Sequence, residues 1–283
     1  MTTVSPPRSA ANNVAPKLTR FSQAGVTSPR IVLNAVEGFG KTTLGAFAPN
    51  PAILMARGET GFATLRQANR VPDVDAVELS SWNATLRILE DLEKSDHESI
   101  VLDAVGGFER LCHEHVCARD FGNDWGERGF SSFQRGPDVA VSDWLGLLQR
   151  LDRIRTMRPV NIILLSHAKV QNFKNPLGPD FDRYVPDCHA KTWSVTHKWA
   201  DVVMFGQFVT VTQEDRKTKR VRGIGGTERV VYTQRTDAFD AKNRYGMAAQ
   251  IPMTESKEMW PTVWSAMNGK NEPENTGITA PEL

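Results

Sequence analysis

Apolar residues fall along this chain in two patterns. As far as residue 208 they form short continuous runs: Ile31–Ala35, Ala52–Ala56, Ala76–Ser80, Ser99–Asp103, Asn161–Ser166 and Val202–Phe208. Runs without alternation predict strands buried on both faces, as in a parallel sheet covered by helices on each side. Between the runs the spacing is helical. It predicts helices over 40–48, ended by Pro49, and over 61–69, 83–94, 108–118 and 139–155. In the third of these, Leu86, Leu89 and Leu92 share one side. From Phe208 on, the stretches FVTVTQ, RVRGIG and RVVYTQ alternate and are separated by polar residues, which predicts an antiparallel meander. A last helix is predicted over 255–268, with Pro261 as a candidate interruption.

The ends differ from this pattern. Residues 1–27 are rich in Ser, Thr, Pro, Ala and Asn and predict a flexible arm; 269–283 predict a flexible tail. That leaves 28–268 as one α/β domain, with a mainly parallel sheet, flanking helices and a C-terminal antiparallel extension. The chain has 283 residues, 40% of them hydrophobic and 24% charged, enough for a sizeable core. Its net charge of +1 excludes a polycation that coats nucleic acid indiscriminately, so any such contact must be a local patch. Cys112, Cys117 and Cys188 are too few for a disulfide framework and predict a reducing, cytoplasmic setting. No apolar run approaches the ~20 residues that span a bilayer, so no membrane role is expected.

Chemistry concentrates after the first predicted strand. Ala35-Val36-Glu37-Gly38-Phe39-Gly40-Lys41-Thr42-Thr43 matches the phosphate-binding P-loop pattern, with Ala35 in place of the usual first glycine. Gly38 and Gly40 allow the backbone to turn its N–H groups toward phosphates. Lys41 brings a mobile cation to the β- and γ-phosphates, Thr42 offers a hydroxyl to Mg²⁺, and the following helix presents its N-terminus to the anion. Asp103, at the end of a buried strand, sits where ligands bind in such sheets and is expected to hold the Mg²⁺ shell; the other reading is a helix cap. Glu59, just past the second strand, can orient a water in line with the γ-phosphate, or it is a solvated loop acid. Ser166 and His167 end another strand, where they could report the γ-phosphate or simply be hydrogen-bonded structure. In Cys112-His113-Glu114-His115-Val116-Cys117 only His113 and Cys117 share a helical face, whereas a closed zinc site needs four ligands; buried cysteines on an amphipathic helix are the favoured reading.

The order of Ala35–Thr43, the stretch from Pro49 to Gly61, Ile100–Asp103, Ile162–His167 and Ala241-Lys242-Asn243-Arg244-Tyr245-Gly246 resembles bacteriophage RecA-like P-loop ATPases, including the Rad51-related annealing type. The resemblance spans roughly residues 28–250, and Phe173–Tyr184 belongs to its more specific part. It implies ATP and Mg²⁺ as cofactors and Glu59 as the catalytic glutamate. It also implies Lys242 and Arg244 as a Lys-x-Arg finger reaching a neighbouring subunit's nucleotide in a ring or filament. Neither cation has an obvious partner in cis, although they could equally be surface cations. Arg57 stands where such proteins often carry an acid, which leaves Glu59 alone.

The segment 168–192 lies where these relatives place a DNA-binding loop. Lys169, Phe173, Lys174, Arg183 and Tyr184, with Phe181, Lys191 and Trp193, combine cations and aromatics as single-strand binders do. An ordered loop at a subunit interface is the alternative. The run from Gln213 to Arg222 carries five basic and two acidic residues at an expected hairpin tip, a solvated turn or a phosphate contact. The resulting expectation is a phage ATPase acting on single-stranded DNA in recombination or annealing, with a single-strand binding protein as a candidate partner and the host cytoplasm as its setting. A helicase-like ring motor and a nucleotide-dependent switch for a protein partner are the alternatives.

Overall fold

A computed structural model describes residues 28–214, 221–254 and 257–269. The expected N-terminal arm, the tail from residue 270, the tip of the basic run (215–220) and residues 255–256 lie outside the described residues. In chain order the elements are β1 (Arg30–Ala35), α1 (Lys41–Ala46), β2 (Pro51–Ala56), α2 (Gly61–Gln67), β3 (Ala76–Leu79), α3 (Trp82–Leu92), β4 (Ser99–Asp103), α4 (Val105–Phe121) and α5 (Arg135–Met157). There follow β5 (Asn161–Phe173), β6 (Phe181–Pro186), α6 (Ala190–Trp199), β7 (Val202–Glu214), β8 (Val221–Tyr232), β9 (Lys242–Asn243), β10 (Gln250–Met253) and α7 (Met259–Met267).

The main sheet has the order β10-β8-β7-β1-β5-β4-β2-β3. From β7 to β3 every pairing is parallel. β8 and β10 extend the sheet by antiparallel pairing, β6 folds back on the outer half of β5, and β9 pairs with the start of β7. The unbroken apolar runs have their explanation here. Along β5, Ile162 and Leu164 face a layer built from α3, α4 and α5, while Ile163 and Leu165 face a layer built from α1 and α7. A strand covered on both faces has no polar side to show. Fully burying each such side chain contributes about 1.5–3 kcal/mol.

The parallel core and antiparallel extension are as the apolar pattern predicts; several details differ. The expected meander over 208–234 is the outer part of one long hairpin, β7–β8, with a register shift between Phe208 and Thr210. The segment 168–192 is a second hairpin, β5–β6, followed by the start of α6, which the apolar spacing did not reveal. Pro261 does not interrupt α7, because it lies in the first turn, where a missing N–H has no helical partner to lose.

Candidate functional site

The loop between β1 and α1 turns at Gly38 (φ 71°) and Gly40 (φ 106°), in the left-handed region that favours glycine. Lys41, almost fully buried, folds back so that Nζ donates to the carbonyls of Ala35 (3.0 Å) and Val36 (3.1 Å). Burial pulls its ammonium pKa down, against the attraction of Asp103, Glu37 and Glu59. The loop leans on β7 and on α7. Val36 N–H donates to Gly206 O at 3.1 Å, the Phe39 ring packs over Gly206, and Met259 packs against Gly40, where a Cβ would stand 3.2 Å from its sulfur.

One residue into α1, Thr42 Oγ1 donates to Asp103 Oδ2 at 2.7 Å. Asp103 closes β4 and is 4% exposed. Burial pushes its carboxyl pKa up; the Thr42 bond opposes this. Beside them Glu59 Oε1 lies 3.7 Å from His167 Nε2, too long for a hydrogen bond but close for an ion pair. The imidazole holds the Glu59 carboxyl below its ordinary range. Lys41, Thr42, Glu59, Asp103 and His167 line one cleft of about 560 Å³ at the carboxyl ends of the parallel strands, the position in which open α/β sheets bind ligands. A hydroxyl and a carboxylate in contact form a hard oxygen donor set suited to Mg²⁺.

Other expected residues lie elsewhere. Ser166 is fully buried and outside the cleft lining, because strand alternation sends it to the opposite face from His167. The Phe39 side chain, fully buried against Gly206, belongs to the core, so only its backbone can serve a phosphate. Lys242 and Arg244 do have partners in cis, contrary to expectation. Lys242 Nζ donates to the carbonyls of His197 (2.8 Å), Lys198 (3.1 Å) and Ala200 (2.6 Å) at the end of α6; Arg244 Nη1 donates to Asp201 Oδ1 at 3.0 Å. They also sit beside Val202 and Val203, at the amino ends of the strands, away from the cleft. The cations of 168–192 are paired as well: Lys169 with Asp187 (2.9 Å), Lys174 with Asp180 (2.6 Å), Arg183 with Asp240 (2.7 Å), and Lys191 with Asp138. Phe173 packs at a tilt against Phe181 under Arg183, and Tyr184 packs on Phe205. Cys112 and Cys117 are buried, with Cys112 Sγ 3.6 Å from Ala140 O, and no group of three or more metal-binding side chains occurs among the described residues.

Phe47, Leu65, Arg70 and Lys257 also line the cleft and carried no motif that would have marked them. Phe47 and Leu65 make one end of it apolar. No described helix is long and apolar enough to cross a membrane.

A family model described as an AAA domain matches residues 27–245. No curated protein matches the chain. Among solved structures, it is similar to that of the RadB recombinase, at 12% identity over 82% of this chain and 90% of that one, with a TM-score of 0.46. The flagellar accessory protein FlaH from Methanocaldococcus jannaschii is similar at 10% identity over 81% of this chain and 86% of that one, with a TM-score of 0.41.

Proposed function

Since this chain belongs to the AAA domain family, we propose that it binds ATP with Mg²⁺ and hydrolyses it in the cleft beside the β1–α1 loop. The observation that carries the reading is the 2.7 Å contact between Thr42 Oγ1 and Asp103 Oδ2, with Glu59 and His167 facing the same cleft. Loop N–H groups and Lys41 would hold the phosphates; Thr42 and Asp103 would hold the metal. Bound there, Mg²⁺ would neutralise charge on the phosphate oxygens. Glu59, ionised at neutral pH, accepts a proton as water attacks the terminal phosphorus, and the bond to the ADP oxygen breaks to release phosphate. The test is turnover with and without Mg²⁺ in wild type and Lys41→Ala. Turnover should fall by about 10²–10³-fold in the variant, as when one electrostatic stabiliser is removed. Equal rates in the two proteins would refute the reading.

The finer reading, a phage-type recombination ATPase on single-stranded DNA, rests on the exposed β5–β6 hairpin beside the cleft. Its paired cations do not exclude it, because exposed ion pairs contribute only about 0–1 kcal/mol and a DNA phosphate can displace a carboxylate. Arg183 is the exception: its side chain is 11% exposed and held between Asp240 and Phe173, which makes it a structural part of the hairpin. Binding of a single-stranded oligonucleotide should weaken steeply with salt and with charge removal at Lys169 and Lys174. Absence of binding at low salt, with and without ATP, would remove both the annealing and the helicase readings and leave the protein-directed switch. Arg244, half exposed and remote from its own cleft, could reach nucleotide only in a neighbouring subunit of a ring or filament.

A further inference from the structure

We infer that Arg229, on the antiparallel extension, is a positioning residue for the phosphate-binding loop. This rests on the nucleotide reading above and adds a residue that neither the P-loop motif nor the cleft lining contains. Arg229 stands opposite Phe208 in the β7–β8 pairing. Its Nη2 donates to Gly38 O at 3.3 Å, and its guanidinium carbon lies 4.9 Å from the centre of the Phe208 ring. That ring reaches toward the same glycine, with its tip 3.9 Å from where a Gly38 Cβ would be. Two further contacts hold the loop to β7: the Val36 N–H bond to Gly206 O and the Phe39 ring on Gly206.

These contacts bear on phosphate binding through the geometry of one peptide unit. In a trans peptide the C=O and the next N–H point to opposite sides. A Gly38 carbonyl held outward by Arg229 therefore directs the Phe39 N–H back across the loop, where it donates to Val36 O at 3.4 Å and closes the turn. A phosphate-binding loop must hold such a turn for its other N–H groups to converge on an anion. The loop holds two glycines at positive φ, a conformation with little intrinsic preference of its own. An external anchor that fixes it before binding lowers the cost of ordering it during binding. Arg229 does this from outside the cleft lining. Its pairing with Phe208 lies on the Gly206 side of the register shift in the hairpin.

The experiment is calorimetric titration of the full chain with Mg·ATP and with Mg·ADP, together with steady-state turnover and thermal unfolding. The proteins are wild type, Arg229→Ala, Arg229→Lys and Lys41→Ala. Arg229→Ala should bind both nucleotides about 10-fold more weakly, the size expected for losing a charge-assisted hydrogen bond. Turnover at saturating ATP should change by less than about 3-fold, because a preorganising contact acts on binding rather than on the chemical step. Arg229→Lys should restore most of the affinity. Should Arg229→Ala fail to fold, Arg229→Gln, which keeps a donor without the charge, carries the same comparison and should lie between Lys and Ala. Wild-type affinity in Arg229→Ala (or, in its place, in Arg229→Gln) beside lost affinity in Lys41→Ala would overturn this inference and leave the nucleotide site standing. Wild-type affinity in Lys41→Ala would overturn both. Equal losses in Ala and Lys, tracking a lowered unfolding midpoint, would make Arg229 a residue of the fold alone and also overturn it.

Discussion

Lys41 and Lys242 make the same kind of contact at opposite ends of the sheet, and the two differ in what the contact achieves. Each ammonium donates to backbone carbonyls, two in the β1–α1 loop and three at the end of α6. The α6 carbonyls belong to a helix terminus, where groups lack partners and a cation also meets the negative end of the helix dipole. Around Lys242 the Asp201 carboxylate is held ionised by arginines, although burial and the Arg244 and Arg30 cations push the Lys242 ammonium itself toward the neutral form. Arg30 and Arg244 bond Asp201, Arg155 lies 3.7 Å from it, and Arg30 also bonds Asp152. Around Lys41 the ammonium is likewise pushed toward the neutral form by burial, and the difference lies in the carboxylate: Asp103 is pushed toward protonation where Asp201 is held ionised. One end of the sheet is arranged for stability and the other is arranged for a ligand that brings its own charge.

Glu59→Gln tests the cleft most sharply. Turnover should fall about 10²–10⁴-fold, as for loss of a general base, while ATP affinity measured by titration stays near wild type. Asp201→Ala tests the other end. It leaves Arg30 and Arg244 without their shared carboxylate and should lower unfolding stability by roughly 3 kcal/mol in urea titrations, with ATP affinity retained. A smaller loss, about 1–2 kcal/mol, is expected for Lys242→Met, which uncaps α6. If that variant instead keeps its stability and loses turnover, the contrast collapses and the trans finger is the better account. Mixing Lys41→Ala with Arg244→Ala subunits should restore part of the activity if Arg244 works across an interface.

The smallest effect is in pH dependence, and its sign differs between the ends. Asp201 is pushed up by burial, but the Arg30 guanidinium outweighs this and holds it low. Its contribution to stability is present above the ordinary carboxylate value of 3.8 and is lost as pH falls through the lower folded value. Asp103 is raised, so the folded state binds its proton more readily than the unfolded chain does. Its contribution is therefore lost as pH rises from 3.8 through the folded value. Asp103→Asn should thus be more stable than wild type at neutral pH by about 0.5–2 kcal/mol, an advantage that shrinks toward pH 4, while turnover is lost.

The cleft was legible in the sequence because its chemistry requires particular residues close together along the chain: glycines where the loop turns, Lys41 and Thr42 where the helix begins. The parallel core was legible because burial on both faces leaves no polar alternation. What escaped depends on partners far apart in sequence. Lys242 reads as an uncommitted cation unless α6 is known, and α6 hides itself: with two Trp and two Thr in its ten residues, it is capped by the His189 imidazole, which accepts from Lys191 N–H, rather than by Ser, Thr or Asp. Ser166 and His167 are neighbours with equal claims on a ligand until the pleat assigns them to opposite faces. Of the paired cations in 168–192, Arg183 and Lys191 depend on Asp240 and Asp138, far away in the chain, whereas Lys169 and Lys174 pair with the nearby Asp187 and Asp180.

The packing of Met259 against Gly40 bears on how the protein is made. The ribosome delivers the phosphate loop well before α7. At about 5–20 residues per second the interval between Gly40 and Met259 is on the order of 10–40 s. For the first half of that time β1 also lacks both of its neighbours, β5 and β7, which emerge later. A nascent chain therefore carries a complete nucleotide-binding motif with no site around it. On the nucleotide reading, a ligand in the cleft would stabilise the domain only after α7 has left the tunnel, and occupancy would then mark a folded domain.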